Sequence, residues 1–181
     1  MCGITGTISL TNKPLNVDRL KPMVDIIAHR GPDDAGYLVW QTGVHHPRGF
    51  SYGQDFTDSQ FRDICPLLPV IDSPSGQDML HSEKWDVFFG HRRLSIIDLS
   101  PRGHQPMCDK PREIWLTYNG EIYNFKEIRQ ELEGLGYDFF STSDTEVILH
   151  AYHEWGTDCI HRFNGMFAFA LYDNRKKKVW L

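Results

Sequence analysis

Apolar positions alternate with small or polar ones from the start of the chain. Ile4, Gly6, Ile8 and Leu10 share one face, the period-two pattern of a strand whose glycine allows close backbone approach. Thr11-Asn12-Lys13-Pro14 reads as a turn. Val17, Leu20, Met23, Val24 and Ile27 then recur at helical spacing behind Asn16 as a cap, with Pro22 near enough the start to be tolerated. The helix gives way near His29 to Arg30-Gly31-Pro32-Asp33-Asp34-Ala35-Gly36, which predicts a constrained turn into a strand at Tyr37–Trp40.

From about residue 42 to 86, Pro, Gly, Ser and Asp dominate, and only Phe61, Ile64 and Leu67-Leu68 hint at a period. Loops beyond about 12–15 residues are uncommon in compact domains and usually functional, so this stretch reads as a surface excursion or lid. Val87 to Asp98 is a strand rich in β-branched and aromatic residues, carrying Arg92 and Arg93, and Leu99 to Met107 is a loop. Ile114–Tyr118 reads as a strand ending at an Asn119-Gly120 turn. Phe125, Ile128, Leu132 and Leu135 form a helical face between Asn124 and Gly136, and Tyr137–Phe140 reads as a short strand. Ser143-Asp144-Thr145-Glu146 opens a second helix ending at Gly156. Met166–Tyr172 reads as a strand buried on both faces, and Arg175–Lys178 as a charged turn before a last strand at Val179–Leu181. Strands without regular βαβ alternation predict an α+β fold of antiparallel sheets with helices packed outside.

Composition narrows the function. With 181 residues, 40% of them hydrophobic, the chain can bury one domain's core. A net charge of −5 and a sequence pI near 6.0 give no basic face, so neither nucleic acid nor a membrane surface is an expected partner. No apolar run approaches the roughly 20 residues that span a bilayer, and no signal peptide precedes the first strand. Cys2, Cys65, Cys108 and Cys159 are scattered without CxxC spacing, which points to a reducing, cytoplasmic setting. His45, His46, Cys65 and His81 fit no compact metal motif, so no metal is expected. Neither GxGxxG nor GxxxxGK[ST] occurs, and no cofactor is expected in this segment.

The candidate chemistry begins at Met1-Cys2-Gly3. Aminopeptidases remove an initiator methionine before a small residue, leaving Cys2 with both a thiol and an α-amine. Such amines titrate at about 7.7–8.0 and free thiols near about 8.5, so one residue can supply nucleophile and base. An early cysteine is also simply a small buried hydrophobe.

Four blocks then stand in order: Met1-Cys2-Gly3-Ile4-Thr5-Gly6, His29-Arg30-Gly31-Pro32-Asp33-Asp34-Ala35-Gly36, Gly90 to Asp98, and Tyr118-Asn119-Gly120-Glu121-Ile122-Tyr123-Asn124, with Ser143-Asp144-Thr145-Glu146 downstream. Together they resemble the N-terminal glutaminase domain of glutamine-dependent asparagine synthetases, a class II amidotransferase. The resemblance covers nearly all of the chain except about 42–86. It implies an N-terminal-nucleophile αββα sandwich of two antiparallel sheets between helical layers. It also implies that Cys2 attacks the side-chain amide of L-glutamine, and that the Asn119 side chain and the Gly120 N–H hold the oxyanion, where one lost donor typically costs about 10²–10³ in rate. Arg93 would bind the substrate carboxylate as a guanidinium fork. Glu121 and Asp144 would hold its ammonium, and Leu94 and Ile96 would also bind substrate.

Each residue also has an ordinary reading: Arg93 a surface ion pair, Asp144 a helix N-cap, Asn119-Gly120 a hairpin turn. Members of this family continue past a strand like Val179–Leu181 into more glutaminase sequence and an ATP-dependent synthetase domain, in cis or trans. ATP and magnesium are expected only there. Residues 1–181 thus read as one glutaminase domain with a long insertion at about 42–86. Other acceptors, a catalytically silent docking module and a homo-oligomer stay open.

Overall fold

A computed structural model describes residues 2–11, 13–43, 46–52 and 68–181. Among these residues eight strands form two antiparallel sheets. The first, in the order β1-β4-β2-β3, contains β1 (Gly3–Ile8), β2 (Asp34–Trp40), β3 (Arg48–Ser51) and β4 (Val87–Arg93). The second, in the order β5-β6-β7-β8, contains β5 (Met107–Cys108), β6 (Ile114–Ile122), β7 (Gly165–Asp173) and β8 (Lys178–Trp180). The α-helices among these residues are α1 (Leu20–Asp25), α2 (Pro74–Ser82), α3 (Phe125–Gly134) and α4 (Asp144–Trp155).

Alternation along the strands assigns the layers. In β2, Ala35, Tyr37 and Val39 face Leu20 and Val24 of α1 and Leu80 of α2. Leu38 and Trp40 face the other way and meet Trp115, Ala170 and Tyr172 of the second sheet. There Trp40 stacks on Tyr172 with ring centroids 4.2 Å apart and receives Phe89 edge-on at 4.9 Å. The outer face of the second sheet, including Ile114, Leu116 and Ile122, packs on Ile128 and Leu132 of α3 and on Val147, Ile148 and Ala151 of α4. The result is the expected αββα sandwich.

Several boundaries differ from the sequence expectations. β2 begins at Asp34, because Asp34, Ala35 and Gly36 pair with Arg93, Arg92 and His91 instead of closing a turn. β4 ends at Arg93, and the residues to Asp98 are irregular. β6 runs through Asn119-Gly120 to Ile122, since all nine of its residues pair with β7 and overrule the local turn signal. Tyr137–Phe140 forms no strand; the Phe140 and Ser141 N–H groups go to the Glu146 carboxylate at 2.9 and 2.7 Å. β7 is buried on both faces only in its second half, and Met166 is exposed. The 42–86 stretch carries β3 and α2, so it is not loop throughout. Phe61, Ile64, Leu67, Cys65 and His45 lie outside the described residues; His81 faces Asp18 at 3.3 Å.

Between the sheets His91 is fully buried, its Nδ1 3.1 Å from Thr117 Oγ1. Burial is the main cause that drives its pKa down to about 3. An unfolded histidine titrates near 6.5, so between about pH 6.5 and 3 the unfolded chain binds the extra proton. Stability is therefore fully present above that window and lost as pH falls through it, at up to about 1.4 kcal/mol per pH unit. His91→Gln is expected to flatten this dependence. Unfolding free energies from urea titrations between pH 7 and 4 check it, and an unaltered slope in the variant would contradict it.

Candidate active site

The register of the first sheet brings chemistry to one end of the sandwich. Gly3 pairs with Arg92, which sets Cys2 beside the end of β4. The half-buried Cys2 thiol is bracketed by one residue's backbone: Leu94 N–H donates to Sγ at 3.3 Å, and the thiol lies 3.6 Å from Leu94 O. A cleft of about 230 Å³ opens beside it, lined by Cys2, Arg93, Leu94, Ile96, Gly120, Glu121 and Asp144 among others. That is below the roughly 300–1,000 Å³ of pockets for drug-sized ligands and suits a single amino acid.

Arg93 is only 7% exposed. Its Nη1 donates to Ser100 O at 2.8 Å and its Nη2 to Asp98 O, and among the described residues it forms no ion pair. A surface ion pair is therefore not its role. The segment that holds it is itself tied down. Asp98 accepts from Ser100 N–H and Oγ–H at 2.8 and 2.6 Å and from Thr142 N–H at 2.8 Å. Burial alone would raise the Asp98 pKa, but these hydrogen bonds outweigh it and hold the carboxyl below its ordinary value. The two acids of the Pro32-Asp33-Asp34 run fasten the same segment: Asp33 accepts from Ser95 N–H at 2.7 Å, and Asp34 pairs with His104 at 2.7 Å. Burial raises the Asp34 pKa, and the His104 charge and hydrogen bond reverse that to a net lowering. Gly103 has no room for a Cβ because the Arg93 guanidinium lies against it.

On the facing sheet, Gly120 and Glu121 line the cleft, Glu121 at its exposed rim. A Cβ on Gly120 would strike the Met166 carbonyl and the Phe167 backbone, so glycine here serves the β6–β7 approach. Asn119 stands next to them on β6; its Oδ1 is buried and has no partner among the described residues. Asp144, 4% exposed, is the first residue of α4. It is not the N-cap: Ser143 caps the helix by accepting from Thr145 N–H. Burial raises the Asp144 pKa; hydrogen bonds from Tyr118 and from the Ile122 N–H oppose this, and Glu121 adds to it. The cleft lining thus combines a guanidinium (Arg93), two carboxylates (Glu121 and Asp144) and a thiol (Cys2).

A family profile described as a glutamine amidotransferase domain matches residues 72–181. The chain belongs to this family. Similarity to relatives also reaches the Cys2 end. Glutamine-hydrolysing asparagine synthetase 3 of Bacillus subtilis is 35% identical over 186 residues, covering 99% of this chain and 22% of its own length. Amidase chry2 of Gibberella zeae is 30% identical over 189 residues, covering 99% and 22%. The chain therefore spans about a fifth of the length of these relatives. Among solved structures, the glutamine phosphoribosylpyrophosphate amidotransferase of Bacillus subtilis superposes with a TM-score of 0.69 at 18% identity, over 96% of this chain and 35% of its own. That likeness carries the fold.

Within this amidotransferase domain, the structure gathers every sequence-predicted site residue at the cleft, with Asn119 adjoining rather than lining it. Sequence reading missed Tyr118, Gln105 and Gly103, which also line it. Tyr118 opens the Tyr-Asn-Gly-Glu block, yet its periodicity marked it only as a core strand position.

The two glycines separate binding from stability. Gly103→Ala pushes the Arg93 guanidinium aside and is expected to raise the KM for glutamine about tenfold or more, with a smaller loss of Tm than Gly120→Ala. Gly120→Ala meets backbone and is expected to cost about 1–3 kcal/mol of stability. Steady-state kinetics and thermal melts of both variants check this; equal Tm losses would contradict it.

Proposed function

We propose that this domain hydrolyses glutamine to glutamate and ammonia through a Cys2 γ-glutamyl thioester. The observation that carries the reading is the charge layout of the cleft, which complements a zwitterionic amino acid. Arg93 forms no ion pair among the described residues and is rigidly held, as a receptor for an α-carboxylate must be. Glu121 and Asp144 repel one another, and an α-ammonium between them relieves that cost.

With the substrate so held, its side-chain amide reaches Cys2. The thiol, deprotonated by the α-amine that removal of Met1 exposes, adds to the amide carbon. The amide oxygen becomes an oxyanion. The Gly120 N–H is one donor for it, and the unpartnered buried amide end of Asn119 is suited to be the other once its amide group is turned to present Nδ2. Collapse breaks the C–N bond as the Cys2 α-ammonium passes the thiol proton to the substrate's amide nitrogen, which leaves as ammonia, and water then cleaves the thioester to glutamate and the free thiol.

The similarity to glutamine-hydrolysing asparagine synthetases supports delivery of the ammonia to a synthetase-type domain that makes asparagine from aspartate; the free thiols of Cys2, Cys108 and Cys159 favour a reducing, cytoplasmic setting. ATP and magnesium belong to that acceptor chemistry, and no step of the glutaminase half-reaction calls for them. A different acceptor is the second reading, because a relative named an amidase matches the same 99% of the chain. No helix among the described residues is long and apolar enough to cross a membrane.

Cys2→Ala is expected to lower glutamate release by at least about 10³-fold while leaving the fold intact. A glutamate-coupled assay and a thermal melt of the same preparation check this. Near-normal release from the folded variant would sink the mechanism.

A further inference from the structure

Asp144 sits in surroundings that work against its charge. It is buried, the Glu121 carboxylate that shares the cleft lining repels its charge, and desolvation favours the neutral acid, which cannot hold an ammonium. Its own backbone N–H and two donors from β6 oppose that, and the two from β6 reach the same oxygen. Tyr118 Oη–H donates to Oδ2 at 2.7 Å, and Ile122 N–H donates to it at 3.2 Å. Neither reaches Oδ1, which is left for a ligand.

Tyr118 is itself held in place. It is buried in the core formed with α4. Its own N–H donates at 2.7 Å to Gln105 Oε1, and Gln105 Nε2 donates at 3.1 Å to Thr145 Oγ1, the neighbour of Asp144. Gln105 thereby fixes the spacing of β6 from the first turn of α4. We propose that Tyr118 is a positioning residue for substrate ammonium recognition: its hydroxyl clamps Oδ2 of Asp144, so that Oδ1 is presented to the cleft as a charged acceptor. This rests on the reading that Asp144 holds the substrate ammonium.

Electrostatics agree with the geometry. The titratable and charged groups that line the cleft with Asp144 are Tyr118 and Glu121 from β6, Tyr123 just after it, Cys2 ahead of β1, and Arg93 and Asp98 from β4 and the segment after it; Tyr118 and Glu121 act on its charge. Glu146, on its own helix, is turned away to Phe140 and Ser141. Burial, with Asp144 beside it, pushes the Tyr118 hydroxyl far above its ordinary value, so it remains a donor across the working pH range. Loss of that donor removes a hydrogen bond to the charged form of Asp144. Its pKa then rises further, and the acid limb of kcat/KM for glutamine moves to higher pH.

The test compares glutamine with 4-carbamoylbutanoate, which carries the same amide and carboxylate but no α-amine. kcat/KM for both is measured in the full-length wild-type protein, Tyr118→Phe and Asp144→Asn, between pH 5 and 9. Tyr118→Phe is expected to lower the ratio of glutamine to 4-carbamoylbutanoate efficiency about tenfold, mainly through KM, and to shift the acid limb upward. Asp144→Asn is expected to lower the ratio further. A ratio that falls in Asp144→Asn alone overturns the role of Tyr118 and leaves the ammonium reading standing. A ratio that falls in neither overturns both. Should Tyr118→Phe fail to fold, 3,5-difluorotyrosine at position 118, a stronger donor, is expected to move the acid limb downward; an unmoved limb contradicts the proposal.

Discussion

The antiparallel pairing of β1 with β4 is the interaction on which the site depends. The strand begins one residue after the nucleophile, so the ladder from Gly3–Arg92 to Ile8–Val87 fixes Cys2 without any intervening loop. The same ladder fixes Arg93 and Leu94, the next two residues after Arg92, which is why a single backbone residue can bracket the thiol. Because β1 is an edge strand, its only lateral support among the described residues is β4. Whatever loosens that pairing loosens nucleophile, carboxylate receptor and thiol contact together.

Polar groups carry the fastening from that ladder to the rest of the cleft. The segment after β4 is irregular, so its backbone needs partners that no strand provides. Asp33 takes Ser95, Asp34 takes His104, and Asp98 ties Ser100 to Thr142 just before α4. Gln105 extends the chain of contacts to Tyr118 and Thr145. The cleft walls are thus joined by buried hydrogen bonds, which are costly to leave half-made and so keep the charges at fixed positions. Apolar packing on the outer faces, with Trp40 against Tyr172 between the sheets, supplies the rigid frame.

Features set by local pattern were readable from the sequence. The Ile4 to Leu10 alternation marked the strand that follows Cys2, and the block order pointed to Arg93, Asn119, Gly120, Glu121 and Asp144 as one site. Features set by distant partners were not. Asn119-Gly120 carries a strong turn signal, yet a full ladder with β7 keeps it extended. Tyr137–Phe140 has strand composition, but Glu146 takes up the N–H groups that follow. Asp144 looked like a cap because Ser143, one residue earlier, offers the same chemistry. Gln105 and Gly103 sit in a stretch with no period at all, and only the folded contacts reveal what they hold.

The most direct measurement of the central claim is covalent labelling by an electrophilic diazo-ketone analogue of glutamine, read by intact mass and peptide mapping. It reports on an assembled nucleophile and glutamine cleft without requiring turnover. The expected result is loss of Met1 and a single adduct on Cys2 that excess glutamine prevents. Retention of Met1, or an unlabelled Cys2 in folded protein, would contradict a glutaminase built on this residue.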